Sequence, residues 1–470
     1  MSIFFPVSAI RQPHSQFAAS AIRQTHSKVC IIGSGPSGFY TALRLLRRSK
    51  EIHIDILEAR REPFGLIRYG VAPDHPEVKK CATKFDELLS ENSDRISWYG
   101  GVSLGKDVQL DELMASYGAV VLAIGAQLEN RLHVPGEELA TSSKTFTHWM
   151  NGANFGPSLS FDKSYGKSSR CALVIGNGNV ALDTARSLVG DPQRFSGTNI
   201  GTSAMKELCS STIRDVAIIG RRGPLQASFA AKELREIFNL CRHEKVGLFT
   251  NVDIQYENHS PVTRSQSILI DGLTKATFLE DLSHRWPPLE RENSNSRSLS
   301  FFFNLSPTKF IKNQTDSSLL ATEVAKNTVL PDGSIGTHHA ENGTPSSISL
   351  TTLPSALAVT CLGYGVGPIP GAENFARTKP RGPLVHKKGC VNQDMGLFVA
   401  GWTKTGPAGA LASTMLDAYE TADCIVSNLP RLKETKNTGD CNWLRQVLCE
   451  RNIPWVSYRD WAGTPEASKI

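Results

Sequence analysis

Two glycine-rich turns, each set between an apolar run and a helical pattern, constrain this chain more than any other feature. In "KVCIIGSGPSGFYTALRLLRR" (28–48) an apolar strand leads into Gly33-x-Gly35-x-x-Gly38, then into a helix carrying Leu43, Leu45 and Leu46. The first glycine permits a tight turn, the second lets a pyrophosphate approach the backbone, and the third lets helix and strand pack closely. The helix N-terminus then faces the diphosphate with free N–H groups and its positive dipole end. A second strand, "HIDILE" (53–58), ends in Glu58, 20 residues past Gly38, where an acid takes ribose hydroxyls.

The pattern recurs in "CALVIGNGNVALDTARSL" (171–188), as Gly176-x-Gly178-x-x-Ala181; alanine is an accepted third residue. Here the next strand, "DVAIIG" (215–220), ends in Arg221 and Arg222. An acid at that tip repels a phosphate on the ribose 2′ position, whereas two guanidiniums clamp it with charge-assisted hydrogen bonds. The second site is therefore expected to hold NADP(H). The first, with Glu58, suits the unphosphorylated adenosine ribose of FAD, the partner that takes a hydride from NADPH.

Strands closing in glycine at "YGAVVLAIGAQ" (117–127) and "SALAVTCLGYG" (355–365) read as crossings between the two units. The expected fold is α/β, with two Rossmann-like dinucleotide-binding domains and the NADP domain inserted into the FAD domain. The boundaries are 29–126 for the first FAD part, 127–363 for the NADP domain and 364–470 for the second FAD part and tail. In the polar stretch between about 250 and 350, "SLSFFFN" (298–304) and "SISLTTL" (347–353) are expected to form a small sheet capping the NADP domain. In "MGLFVAGWTKTGPAGALASTMLDAYETADCIV" (395–426) a strand ends in Gly401-Trp402 and a helix starts near Ala410. That helix N-terminus would face the flavin's pyrimidine end, where negative charge develops on reduction, and Trp402 would wall the isoalloxazine.

Residues 1–28 carry Arg11, Arg23 and Lys28 but no acid, the first being Glu51. This basic, serine-bearing composition marks an organellar transit peptide, expected to be mitochondrial. It accounts for half of the net charge of +6, and the small remainder argues against a nucleic-acid binder. No run of about 18 uncharged apolar residues suggests a membrane span. The ten cysteines include no C-x-x-C or C-x-x-x-x-C, so no zinc ribbon or redox dithiol is read and no metal is expected.

"SGPSGFYTALRLL", "PFGLIRYGVAPDHPEVK" (63–79), "IGNGNVALDTARSL", "GRRGPLQASFAAKELRE" (220–236), "GWTKTGPAGALASTMLDA" and "IPWVSYRDW" (453–461) resemble the mitochondrial adrenodoxin reductase (ferredoxin–NADP⁺ reductase) family. The resemblance covers about 28 to 461 except the polar middle. It implies a flavoenzyme passing electrons from NADPH through FAD to a small acidic [2Fe–2S] ferredoxin. That ferredoxin would supply haem monooxygenases or iron–sulfur and haem assembly in the mitochondrial matrix. A monomer is expected, with peripheral contact to the inner membrane left open. Carried over by motif, FAD contacts fall on Ser37, Glu58, Leu66, Leu104, Trp402, Gly409, Ala410 and Leu411. NADP contacts fall on Asn177, Gly178, Asn179, Val180, Arg221, Arg222, Glu233 and Gly409. His75 and Glu233 resemble a polar pair beside flavin and nicotinamide, with a positioning or proton-managing role; Arg235 and Arg242 resemble the ferredoxin-docking cations. Lys404-Thr405 departs from the family's Lys-Arg by one charge.

Competing readings remain. A disulfide reductase shares both folds but requires a dithiol that the cysteine spacings do not supply. A flavin monooxygenase would consume oxygen with NADPH. An NADP-binding scaffold would require a damaged site, and both fingerprints are intact.

Overall fold

The computed structural model describes residues 27–153, 159, 170–254, 263–288, 295–329, 335–336, 349–409, 411–435, 442–464 and 467. Two seven-stranded sheets organise them. The first runs, edge to edge, Cys390–Asn392, Leu397–Val399, Ala119–Leu122, Ser27–Ile32, Ile52–Glu58, Ile96–Gly100 and Val456–Ser457. Its five inner strands are parallel and its two edges antiparallel. The second, parallel throughout, runs Thr277–Phe278, Gly247–Thr250, Ser298–Phe302, Asp215–Ile219, Cys171–Ile175, Leu357–Thr360 and Thr141–Ser142.

Parallel strands covered on both faces read as unbroken apolar runs. Val29, Cys30 and Ile31 are all fully buried, with alternate residues entering two different apolar clusters. The second sheet comes wholly from within the chain span that separates the two groups of first-sheet strands, so the second unit is inserted into the first. A short antiparallel pair, Leu128–Glu129 with Tyr364–Gly365, ties the outgoing chain to the returning one.

Two expectations change. The strand Ser298–Phe302 lies inside the second parallel sheet, between Asp215–Ile219 and Gly247–Thr250. Phe301 and Phe302 are fully buried, in the clusters on opposite faces of that sheet, as a strand covered on both faces requires. The small sheet consists instead of Leu305–Lys312, Leu319–Lys326 and Leu350–Pro354, antiparallel, with a ribbon of Thr328–Val329 and Ile335–Gly336 beside it. Its Leu305, Val324 and Leu353 pack against Leu173, Ala217 and Ile219 of the main sheet.

The leader boundary at 28 also moves back. Ser27 and Lys28 pair with Ile52 and His53 in the first sheet. The Lys28 ammonium is buried, 3.6 Å from Asp55 and over the Tyr117 ring. Its charge belongs to the fold; the rest of the expected leader lies outside the described residues.

Candidate functional site

The two fingerprints have the same local construction. Gly33 (φ +109°) and Gly176 (φ +138°) both adopt backbone that side chains rarely tolerate. A Cβ on either would overlap the carbonyl of a returning strand, Ala123 in one and Cys361 in the other. A Cβ on Gly38 would overlap the Gly33 carbonyl. The middle glycines differ: around a Cβ on Gly35 or on Gly178 there is no atom within 4 Å. Protein packing therefore does not require these two residues to be glycine, and the open space beyond them fits a dinucleotide's diphosphate. The helices Pro36–Arg48 and Asn179–Val189 start at these glycines with no side-chain cap and no acid in the first turn, leaving their N–H groups for an anion.

At the tip of the first unit's second strand, Glu58 accepts hydrogen bonds from the Ser34 N–H (3.0 Å) and hydroxyl (2.8 Å), which pins it beside the turn. At the equivalent tip of the second unit, Arg221 is exposed and Arg222 half-buried. Neither guanidinium makes an ion pair among the described residues, so both are available to an anion. Between that tip and the fingerprint, the Asn177 side-chain oxygen is buried without a partner, a further polar group fit for a ligand.

Other expected residues gather on the first turn. Phe64 N–H donates to the Ser34 carbonyl (2.9 Å), bringing Gly65 against Gly35 and placing half-exposed Leu66 alongside. Gly401 packs on the Ser37 side chain, so the Trp402 turn meets the start of the Pro36 helix. Trp402 stacks on Tyr364, with ring centroids 6.1 Å apart. Gly409 is exposed and Leu411 opens the helix Leu411–Thr435; Ala410 lies outside the described residues. Leu104 packs against a different apolar cluster, that of Val102, Val108 and Leu122. In the second unit Asn177 accepts from Ser228 N–H (2.8 Å) and the Asn179 side chain from Ala230 N–H (2.7 Å). Those bonds bring the segment that leads into the helix Ala231–His243 alongside the second fingerprint, where Ser228 bridges Gly178. Arg235 and Arg242 are exposed on that helix and make no ion pair among the described residues.

Lys404 is no docking charge. It is buried, and its Nζ binds Asp417 (2.8 Å) and Glu420 (2.7 Å). Asp417 also accepts from Gly401 N–H (2.7 Å), which ties the Trp402 turn to the following helix.

His75 and Glu233 meet although they belong to different units. His75 Nε2 is 3.5 Å from carboxylate oxygens of Glu233, Asp183 and Glu236, and Nδ1 is 3.3 Å from Glu77. Arg186 Nη2 is closer still, 2.6 Å from Nε2. That contact needs Nε2 to accept from the guanidinium, whereas the carboxylates around the ring favour the imidazolium. Asp74, Glu77, Asp183, Glu233 and Glu236 set five negative charges against three from Arg186, Arg194 and Lys232. His75 is accordingly pushed up to about 10, chiefly by Asp183 and Glu233, against burial and Arg186. Glu233 is held down to about 2 by the His75 hydrogen bond, with Arg186 adding to it. The facing atoms of His75, Glu233 and Glu236 lie within 4.8 Å of one another, a spacing a metal ion would also use. The Arg186 guanidinium reaches all three and supplies the cation there. Sequence reasoning missed Arg186, Asp74, Asp183 and Glu236; the available signal was the Asp183-x-x-Arg186 pair within the apolar Asn179 helix.

A family model described as "Pyridine nucleotide-disulphide oxidoreductase" matches residues 27–266. The mitochondrial NADPH:adrenodoxin oxidoreductase of Bos taurus is 33% identical over 450 residues, covering 92% of this chain and 85% of that one. The protein of the same name from Arabidopsis thaliana is 34% identical, covering 92% and 88%. The NADPH-ferredoxin reductase FprA of Mycobacterium tuberculosis is 33% identical, covering 92% and 90%. The solved structure of that FprA in complex with NADPH superposes with a TM-score of 0.74 at 28% identity, over 92% of each chain.

Proposed function

The chain belongs to the NADPH:adrenodoxin oxidoreductase family, and from that premise we propose how its two sites divide the work. The protein is an FAD-dependent oxidoreductase that takes electrons from NADPH and delivers them to an iron–sulfur ferredoxin. FAD, when bound, supplies the chemistry that joins a two-electron hydride donor to a one-electron acceptor. The chain's own part is to bind, orient and screen.

On the flavin side, Gly35 and the Pro36 helix receive the diphosphate and Glu58 accepts from ribose hydroxyls. Ser37, Leu66, Trp402, Gly409 and Leu411 complete the cradle, with Leu104 and Ala410 assigned to it from the family resemblance alone. On the nicotinamide side, Asn177 to Val180 and Gly409 receive the dinucleotide, and Arg221 with Arg222 holds the 2′-phosphate. His75 and Glu233 orient the nicotinamide and manage protons at its edge. One observation carries this division: at equivalent strand tips, the first unit presents a carboxylate and the second two guanidiniums with no ion pair among the described residues.

The residues before Ser27 act as a mitochondrial presequence, a reading supported by their lack of acids and by relatives named as mitochondrial. The mature enzyme works in the matrix as a monomer, and its acidic [2Fe–2S] ferredoxin serves haem monooxygenases or iron–sulfur and haem assembly. The ferredoxin docks on Arg235 and Arg242. No described helix is long and apolar enough to cross a membrane.

NADPH-driven cytochrome c reduction, with and without a mitochondrial [2Fe–2S] ferredoxin, tests the proposal. A large ferredoxin-dependent rate that falls with salt is expected. No ferredoxin effect, with steady NADPH oxidation into peroxide or a hydroxylated product, would establish a flavin monooxygenase instead.

A further inference from the structure

Arg186 sits in the Asn179–Val189 helix of the second unit, 3% exposed. Its Nε and Nη2 bind the two oxygens of Asp74 in the first unit, at 2.9 and 3.2 Å. Nη2 is also 2.7 Å from Asp183 and 2.6 Å from the His75 ring. Nη1 reaches Glu236 at 2.9 Å and Glu233 at 3.4 Å. Arg194 holds Asp74 from the other side.

Only a planar group with several donors in a fixed fork can address five side chains at once; a lysine presents one nitrogen. A buried cation among carboxylates is also not a cheap way to stabilise a fold, because desolvation offsets much of the attraction. Its distinguishing property here is geometric. The groups it joins come from Asp74 and His75, just before the helix Pro76–Lys79 of one unit, and from two helices of the other, and among them are His75 and Glu233.

We propose that Arg186 is a positioning residue: its guanidinium holds His75 of the first unit against Glu233 of the second, so that the pair is assembled only where the two units meet. This rests on the reading of His75 and Glu233 given above. Arg186 has two separable effects on the pair. Its charge adds to the His75 hydrogen bond in keeping Glu233 ionised, and its fork fixes the His75 ring relative to the carboxylate. The other charges facing the pair are Asp74 before and Glu77 within the helix Pro76–Lys79, Asp183 on the Arg186 helix, Arg194 beyond it, and Lys232 and Glu236 on the Glu233 helix.

The test follows NADPH reduction of the bound flavin by rapid-mixing absorbance across pH in the full-length holoprotein, for wild type, Arg186→Gln, Arg186→Lys and Glu233→Ala. Arg186→Gln is expected to slow flavin reduction roughly 10- to 100-fold, the scale of a misplaced reacting group, and to move the acid limb of the profile to higher pH. Arg186→Lys is expected to restore the acid limb but not the rate, because charge returns without the fork. Should Arg186→Gln fail to fold, Asp74→Asn releases the guanidinium from the first unit alone and is expected to slow reduction with the acid limb in place. Wild-type rate and profile in the Arg186 variants, or full rescue of the rate by lysine, would overturn the positioning role. An unchanged rate in Glu233→Ala would instead overturn the underlying reading of the His75–Glu233 pair, and the inference with it.

Discussion

Arg221 and Arg222 extend from the end of a fully buried strand with no carboxylate to neutralise them among the described residues. A cation pair with no ion pair among the described residues, beside an open glycine turn, is what the proposed phosphate clamp requires. Arg221→Ala with Arg222→Ala is expected to raise the KM for NADPH far more than that for NADH, measured as flavin-dependent ferricyanide reduction. Equal movement of both constants would remove the phosphate-clamp assignment. These two residues were legible in the sequence because the preceding strand and the absence of an acid define their position locally. Lys28 and Lys404 were not: each looks like a free charge in the sequence, and only packing reveals that the ammonium is buried with a carboxylate beside it.

At the scale of the turn and its helix, the glycines of one fingerprint separate into two kinds. A Cβ on Gly38 collides with the Gly33 carbonyl, whereas a Cβ on Gly35 meets open space. Gly38→Ala is therefore expected to lower the melting temperature of the flavin-free protein, and Gly35→Ala to leave it unchanged. Both are expected to lose flavin, read as the visible absorbance retained through purification. A lowered melting temperature in flavin-free Gly35→Ala would show that the fold itself needs that glycine. The motif announced this element because strand, turn and helix are contiguous and each glycine's role is local. Ser298–Phe302 shows where local reading ends. Its pattern suits an edge or an interior strand, and the choice is made by Asp215–Ile219 and Gly247–Thr250, the neighbours on its two sides.

Over the whole molecule, the charged cluster around Arg186 links the two units and gives their junction a pH window. His75 is raised from 6.5 to about 10, so its contribution to stability is complete below 6.5 and disappears as pH rises through about 10. Glu233 is lowered from 4.5 to about 2, so its contribution is complete above 4.5 and is lost as pH falls through about 2. Both are at full strength between 4.5 and 6.5. His75→Gln is expected to flatten the alkaline decline in melting temperature; a decline as steep as in wild type would assign it to other groups. At the outer surface, Arg235→Glu with Arg242→Glu is expected to raise the KM for ferredoxin and weaken its salt dependence, with ferricyanide reduction unchanged. An unaltered ferredoxin KM would move docking to another face.

By itself the sequence determined the two dinucleotide turns and the opposite charges at their strand tips, from which the proposed division of FAD and NADP(H) between the units follows. All of these are set by residues within one strand–turn–helix–strand unit, whose backbone geometry follows from glycine spacing and apolar runs. The tertiary structure alone decided that His75 faces Glu233 through Arg186, although Arg186 is 111 residues from His75 and 47 from Glu233. The reason is physical: a buried ion cluster is defined by which side chains share a low-dielectric space, and that depends on how the inserted unit sits against the first.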